Sequence, residues 1–210
     1  AGFAPLANAT RAEVSAMLVH IFGCSQGKDI TFYSDVRSGA WYYSKLSTAV
    51  QMQIFCGCGD GTMGPNRSIT RQEVMTVLAS ALALPGGTAA DIQSFPDAAS
   101  VSAWAVSSVA GLVKAGLVSG DNYGRLNPSA AVTRAELAQM LYKLDLQFCS
   151  AADALPASGR VIYTGTEPLT ADAFSGTLYL GGSAGRDLGD LNVTGTLVVR
   201  TDPNGTVTVG

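Results

Sequence analysis

The sequence predicts a mainly α protein, a bundle of helix-loop-helix repeats, followed by a short β-rich segment built as a sheet or a β-solenoid. Three observations predict it. Apolar residues recur at helical spacing after each of three "TR-x-E" elements. The stretches from Trp41 to Glu73 and from Trp104 to Glu136 align without a gap. After about residue 150 the chain turns to short Thr/Val/Leu runs broken by Gly, Asp, Pro and Asn.

The repeated helix starts at "ATRAEVSAML", "ITRQEVMTVL" and "AVTRAELAQML". Thr133 is a good N-cap, and Glu136 three residues on completes a capping box. The stripes that follow are Val14, Met17, Leu18 and Ile21; Val74, Val77, Leu78 and Ala81; and Leu137, Met140, Leu141 and Leu144. Each is an i, i+3, i+4, i+7 pattern that buries one face, so several copies must pack together. A second helix type runs from about Trp41 to Gln53 and from Trp104 to Ala115. The connectors "CGCGDGTMGPNRS" and "SGDNYGRLNPSAA" are rich in Gly and carry a helix-stopping Pro.

The opening "GFAPLANATRAE" matches only the tail of the unit: Pro5 falls where Pro65 and Pro128 fall. The expected segments are therefore 1–27, the end of a first copy; 28–90 and 91–150, two full copies; and 151–210, the start of a larger β-rich domain. "DPNG" at 202–205 reads as a turn.

Composition narrows the function. Charged residues are 14% and hydrophobic residues 47%, which is a globular chain with a core. The net charge of −3 argues against nucleic acid as a partner, since no basic stripe exists to neutralise phosphates. No apolar run approaches the ~18–20 residues that span a bilayer, and the first residues lack the layout of a signal peptide. Membrane insertion is not expected. The Gly, Thr, Ser and Ala content leans towards an exported surface protein.

The four cysteines, Cys24, Cys56, Cys58 and Cys149, permit two disulfides. Cys24 and Cys149 follow the first and third "TR-x-E" helices, while Cys56 and Cys58 sit in a loop between. At least one bridge from Cys56 or Cys58 to Cys24 or Cys149 is expected, with Cys24 favoured because those copies are neighbours in sequence; four buried thiols are the alternative. "CGC" is not a zinc knuckle and His20 stands alone, so no metal and no cofactor are expected.

The residues "FYSDV…W…GCGDGTMGPNRSITRQE" and "FPDA…W…SGDNYGRLNPSAAVTRAE" resemble the S-layer homology repeat. The resemblance covers residues 1 to about 149. It departs in the third copy, where "GDNYGRL" replaces the family's glycine-rich loop. It implies a pseudo-threefold bundle with sugar grooves between copies. It also implies attachment of a surface protein to secondary cell-wall polysaccharide, usually through pyruvylated amino sugars. The expected location is extracellular, at the cell wall or surface layer.

Arg11, Arg71 and Arg134 are the leading candidate ligands. Each places a cation at the positive end of a helix dipole, which costs roughly 0.3–1 kcal/mol. That makes sense if a ligand carboxylate is shared between guanidinium and helix amides; the structural alternative is a salt bridge to Asp35 or Asp97 of a neighbouring copy. Trp41 and Trp104 are read as core anchors that could otherwise stack on sugar. Asp35 and Asp97 are acceptors for either backbone or sugar hydroxyls. Gly57, Gly59 and Gly120 shape the loops and let backbone amides approach a ligand.

Two other function classes compete with a non-catalytic anchor. A glycan-active enzyme would need its chemistry in or beyond the tail, whose acids are Asp153, Glu167, Asp172, Asp187, Asp190 and Asp202. They show no assembled acid/base pair, and His20 alone builds no triad. A surface-lattice protein that self-associates through its helical part is the third class.

Overall fold

The computed structural model describes residues 2–169, 173–182, 186–187, 191–202 and 207–208. Five α-helices stand among them: α1 (Arg11–Phe22), α2 (Tyr43–Gln51), α3 (Arg71–Ala81), α4 (Ala103–Lys114) and α5 (Arg134–Tyr142). The strands are β1 (Leu146–Cys149), β2 (Ser158–Tyr163), β3 (Ala173–Leu180), β4 (Arg186–Asp187), β5 (Asn192–Val199) and β6 (Val207–Thr208). The composition is mixed α/β, which corrects the expectation of a mainly α chain. The helices are short because left-handed residues such as Gln53, Ala83 and Gly116 follow their ends, and the tail forms a full parallel sheet. The chain divides into two compact units, Ala1–Val14 with Gly64–Leu144, and Ser15–Met63 with Asp145–Gly210.

The first unit is organised around three equivalent tripeptides that precede α1, α3 and α5. The Ala9 N–H donates to the Val132 carbonyl (2.8 Å), the Val132 N–H to the Ile69 carbonyl (3.0 Å), and the Ile69 N–H to the Ala9 carbonyl (3.0 Å). These bonds close a ring. Ala9, Ile69 and Val132 are buried, so each backbone group finds its partner in another copy rather than in water. Equivalent residues Ala4, Gly64 and Asn127 all take positive φ (48°, 62° and 50°), turning the chain into the prolines that follow.

The second unit carries the sheet, in the order β1-β2-β3-β5 with every pair parallel. β4 and β6 pair in parallel as well, so successive turns of chain stack as rungs. Val161, Tyr163, Phe174, Leu178 and Leu180 form the sheet's core. In register, Gly159, Gly176 and Gly195 lie side by side. A Cβ on Gly176 would sit 2.3 Å from the Gly159 carbonyl oxygen, so this column admits no side chain. The segment after α1 is tied to the sheet: the Gly182 N–H donates to the Phe22 carbonyl (2.7 Å), and Phe22 packs edge-on against Tyr179. Asp202, 2% exposed, accepts from the Ser25 and Gln26 amides. Of the "DPNG" turn, residues 203–205 lie outside the described residues.

The cysteines depart from expectation, since no disulfide joins them. Cys24 and Cys149 are buried, with their thiols donating to the carbonyls of Arg200 (2.6 Å) and Ala151 (3.0 Å), whereas Cys56 and Cys58 are exposed. The favoured bridge from Cys24 would have to join an interior thiol to an outward-facing one.

The tryptophans depart too. Trp41 and Trp104 are 65% and 59% exposed, so neither anchors a core. Tyr42, Leu46, Ala105 and Val109 take that position.

Candidate functional site

Each repeated helix opens with a complete capping box. Thr70 Oγ1 accepts from the Glu73 N–H while the Glu73 carboxylate accepts from the Thr70 N–H; Thr133 with Glu136 and Thr10 with Glu13 do the same. The next amides are also taken. The Arg71 and Gln72 N–H groups donate to the Ala130 and Pro128 carbonyls, those of Arg11 and Ala12 to Arg67 and Pro65, and those of Arg134 and Ala135 to Ala7 and Pro5. The helix starts therefore present no open set of N–H donors to an anion, which removes one half of the physical reason for reading the arginines as ligand-binding.

What offsets the arginine charge is the glutamate of another copy's capping box. Arg11 Nη1 lies 3.1 Å from Glu73 Oε1, Arg134 Nη1 2.8 Å from Glu13 Oε1, and Arg71 Nη1 3.9 Å from Glu136 Oε1. The pairing runs once around the three copies. Asp35 and Asp97, the partners weighed from sequence, are occupied elsewhere. Asp35 Oδ1 accepts from the Met63 N–H (2.8 Å), and Asp97 accepts from the Leu126 and Asn127 N–H groups (2.9 and 2.7 Å). Both aspartates clamp the end of the glycine-rich loop in their own copy.

The three pairs are not equal. Glu73 also binds Arg67, a residue for which the other copies carry Ala130 and Ala7. Burial alone would raise the Glu73 carboxyl, but hydrogen bonds from Arg67 and from the Thr70 amide and hydroxyl, with the Arg11 charge, hold it below the ordinary carboxylate value. The Arg71–Glu136 pair, beyond hydrogen-bond length, is the loose one. Arg71 Nε is fixed on the Leu126 carbonyl (2.8 Å), which aims the rest of the guanidinium past that anchor.

Beside it opens a groove of about 390 Å³. Arg71, Glu136, Gln139 and Lys143 form one wall, and residues 117–122, among them Gly120 and Asp121, the other. Lys143 Nζ donates to Ser119 Oγ (3.2 Å). The Arg125 amide, the Asn127 side-chain amide, and then the Tyr123 amide and the Arg125 guanidinium hold the Asp121 carboxyl far below its usual range. The site thus carries two cations, two anions and neutral hydrogen-bonding groups over an apolar patch of Leu117, Val118 and Met140.

Of the residues predicted from sequence in this unit, Arg71 and Gly120 line the groove; Arg11, Arg134, Asp97 and Trp104 do not. Trp41, Asp35, Gly57 and Gly59 belong to the second unit. Sequence reasoning missed Asp121, Asn122, Glu136 as a lining residue, Gln139 and Lys143. A signal existed, because "GDNYGRL" departs from the other connector at these loop positions, and Lys143 stands where the other copies carry Ser80 and His20.

Residues 32–75 and 94–138 match the S-layer homology domain model. The chain carries S-layer homology domains. The matched stretches hold both clamping aspartates, Arg71, Arg134 and the groove's loop. Among similar proteins, the Surface-layer 125 kDa protein of Lysinibacillus sphaericus is 32% identical over 65% of this chain and 12% of its own length. Exoglucanase XynX of Acetivibrio thermocellus is 32% identical over 68% of this chain and 13% of its own length. The Cellulosome-anchoring protein of that species is 30% identical over 64% and 31%. The chain thus spans about an eighth of the first two relatives. S-layer homology domains and such relatives mark a cell-surface, wall-associated protein with an anchoring role. No helix among the described residues is long and apolar enough to cross a membrane.

Proposed function

We infer that this chain is the non-catalytic wall-anchoring part of a cell-surface protein, and that its S-layer homology domains grip secondary cell-wall polysaccharide at the groove beside Arg71. The preferred unit is a pyruvylated amino sugar. One observation carries the reading: the arginine–glutamate pair that is separated by 3.9 Å, the longest of the three, borders a groove. Arg71 and Lys143 supply the positive charge that a pyruvate carboxylate needs, and a guanidinium can meet it with two parallel hydrogen bonds. Ser119, Asn122 and Gln139 suit sugar hydroxyls, while the Asp121 carboxylate is taken up by its own loop. In this reading Arg11 and Arg134 join copies together, while Arg71 both joins copies and binds.

The relative named as an exoglucanase matches over a small fraction of its length, which fits a shared anchoring part rather than a shared catalytic one. The test is calorimetry with purified wall polysaccharide, native and chemically stripped of pyruvate. Arg71→Gln should lose about 1.5–3 kcal/mol of binding, the value of a charge-assisted hydrogen bond, with helix content unchanged. Equal binding of the stripped polymer, or an Arg71→Gln protein as tight as the parent, defeats the assignment.

A further inference from the structure

The "CGC" of the first connector is absorbed neither by the anchoring role nor by the fold's core. Residues 55–58 differ sharply in burial. Phe55 is buried, and Cys56 and Cys58 are exposed. A Cβ on Gly57 would point inward, 2.4 Å from Tyr33 Cε1 and 2.9 Å from the Thr62 carbonyl oxygen. Cys56 and Cys58 thus flank a position whose open side is turned inward, and both are exposed. The loop is held in that form: the Cys58 N–H donates to the Thr62 carbonyl (2.8 Å), the Ser34 N–H to the Gly61 carbonyl (3.1 Å), and the Thr62 N–H to Asp60 Oδ1 (2.9 Å).

Residues two apart stand at most about 7 Å between Cα atoms, and no disulfide joins this pair. Two metal–thiolate bonds of about 2.3 Å each reach across such a gap more easily. No group of three or more His, Cys, Asp or Glu side chains is placed to share a metal among the described residues, so a four-ligand zinc site is not built here. Two neighbouring thiols suit a soft ion content with two ligands.

We propose that Cys56 and Cys58 form a surface dithiolate site for a thiophilic monovalent ion of the Cu(I) class. Binding converts two thiols to thiolates and releases two protons, with no change of oxidation state. The inference is independent of the polysaccharide reading.

The experiment titrates the whole reduced chain with Cu(I) under anaerobic conditions against a colorimetric Cu(I) chelator. The expected result is one ion per chain, with proton release. Cys56→Ser and Cys58→Ser should each abolish that competition while leaving the circular dichroism spectrum unchanged. Alkylation of the native protein, which reaches the two exposed thiols, should abolish it as well. Three outcomes overturn the proposal: a wild-type chain that cannot compete with the chelator, single serine variants that still bind one ion, or binding that survives alkylation.

Discussion

At the scale of single residues, the arginines show how a sequence reading can find the right position for an incomplete reason. Their recurrence one step inside each helix was legible, and so was the need for a compensating charge. That the compensation is the glutamate of another copy's capping box was not, because one sequence does not say which copies touch. The three pairs predict unequal costs. Glu73→Gln leaves Arg11, 5% exposed, without that carboxylate, and removing one member of a buried pair costs about 3 kcal/mol. Glu13→Gln, at a pair whose two side chains are each 32% exposed, should cost under about 1 kcal/mol. Urea unfolding of both variants checks the ordering, and equal costs would refute it. The same carboxyl sets an acid limit. Its folded pKa is depressed, so its stabilisation is full above the unfolded value of about 4.3 and fades as pH falls through the folded value. Glu73→Gln should flatten the acid side of the stability curve.

At the scale of elements, the helices were legible because capping boxes and apolar stripes are local. The outward-facing tryptophans were not, since an aromatic residue near a helix start reads the same whether it anchors a core or faces solvent. Short Thr/Val/Leu runs announced strands, yet their parallel order depends on register between rungs, which no single run encodes. The glycine column makes that register testable. Gly176→Ala forces a methyl against the Gly159 carbonyl at a backbone angle of φ +130°. Hydrogen exchange should speed up across β2, β3 and β5, while amides of the ring formed by Ala9, Ile69 and Val132 keep their protection. Unchanged exchange in β3 would count against the stacked-rung register.

At the scale of the whole molecule, repeat architecture was visible in the spacing of Trp, Gly, Pro and the capping boxes. The way residues 15–63 group with the sheet was not, because those contacts join residues such as Phe22 and Gly182 that share no motif. The groove shows the same division: its arginine sat in a recurring element, but Lys143 and Asn122 occur at places where the copies disagree, and a search for agreement passes over them. Removing residues 2–14 should expose Ile69 and Val132 and lower the thermal midpoint of the first unit, as differential scanning calorimetry can show; an unchanged midpoint would mean that the ring contributes little. The three tripeptides of that ring are joined by backbone hydrogen bonds, which do not depend on which side chain stands at each position. Displacing a chain's own first tripeptide leaves the Val132 carbonyl and the Ile69 N–H without their backbone partner, and the same tripeptide of another molecule carries the groups that complete both bonds, so the ring that closes one molecule on itself is also a point for strand exchange between two.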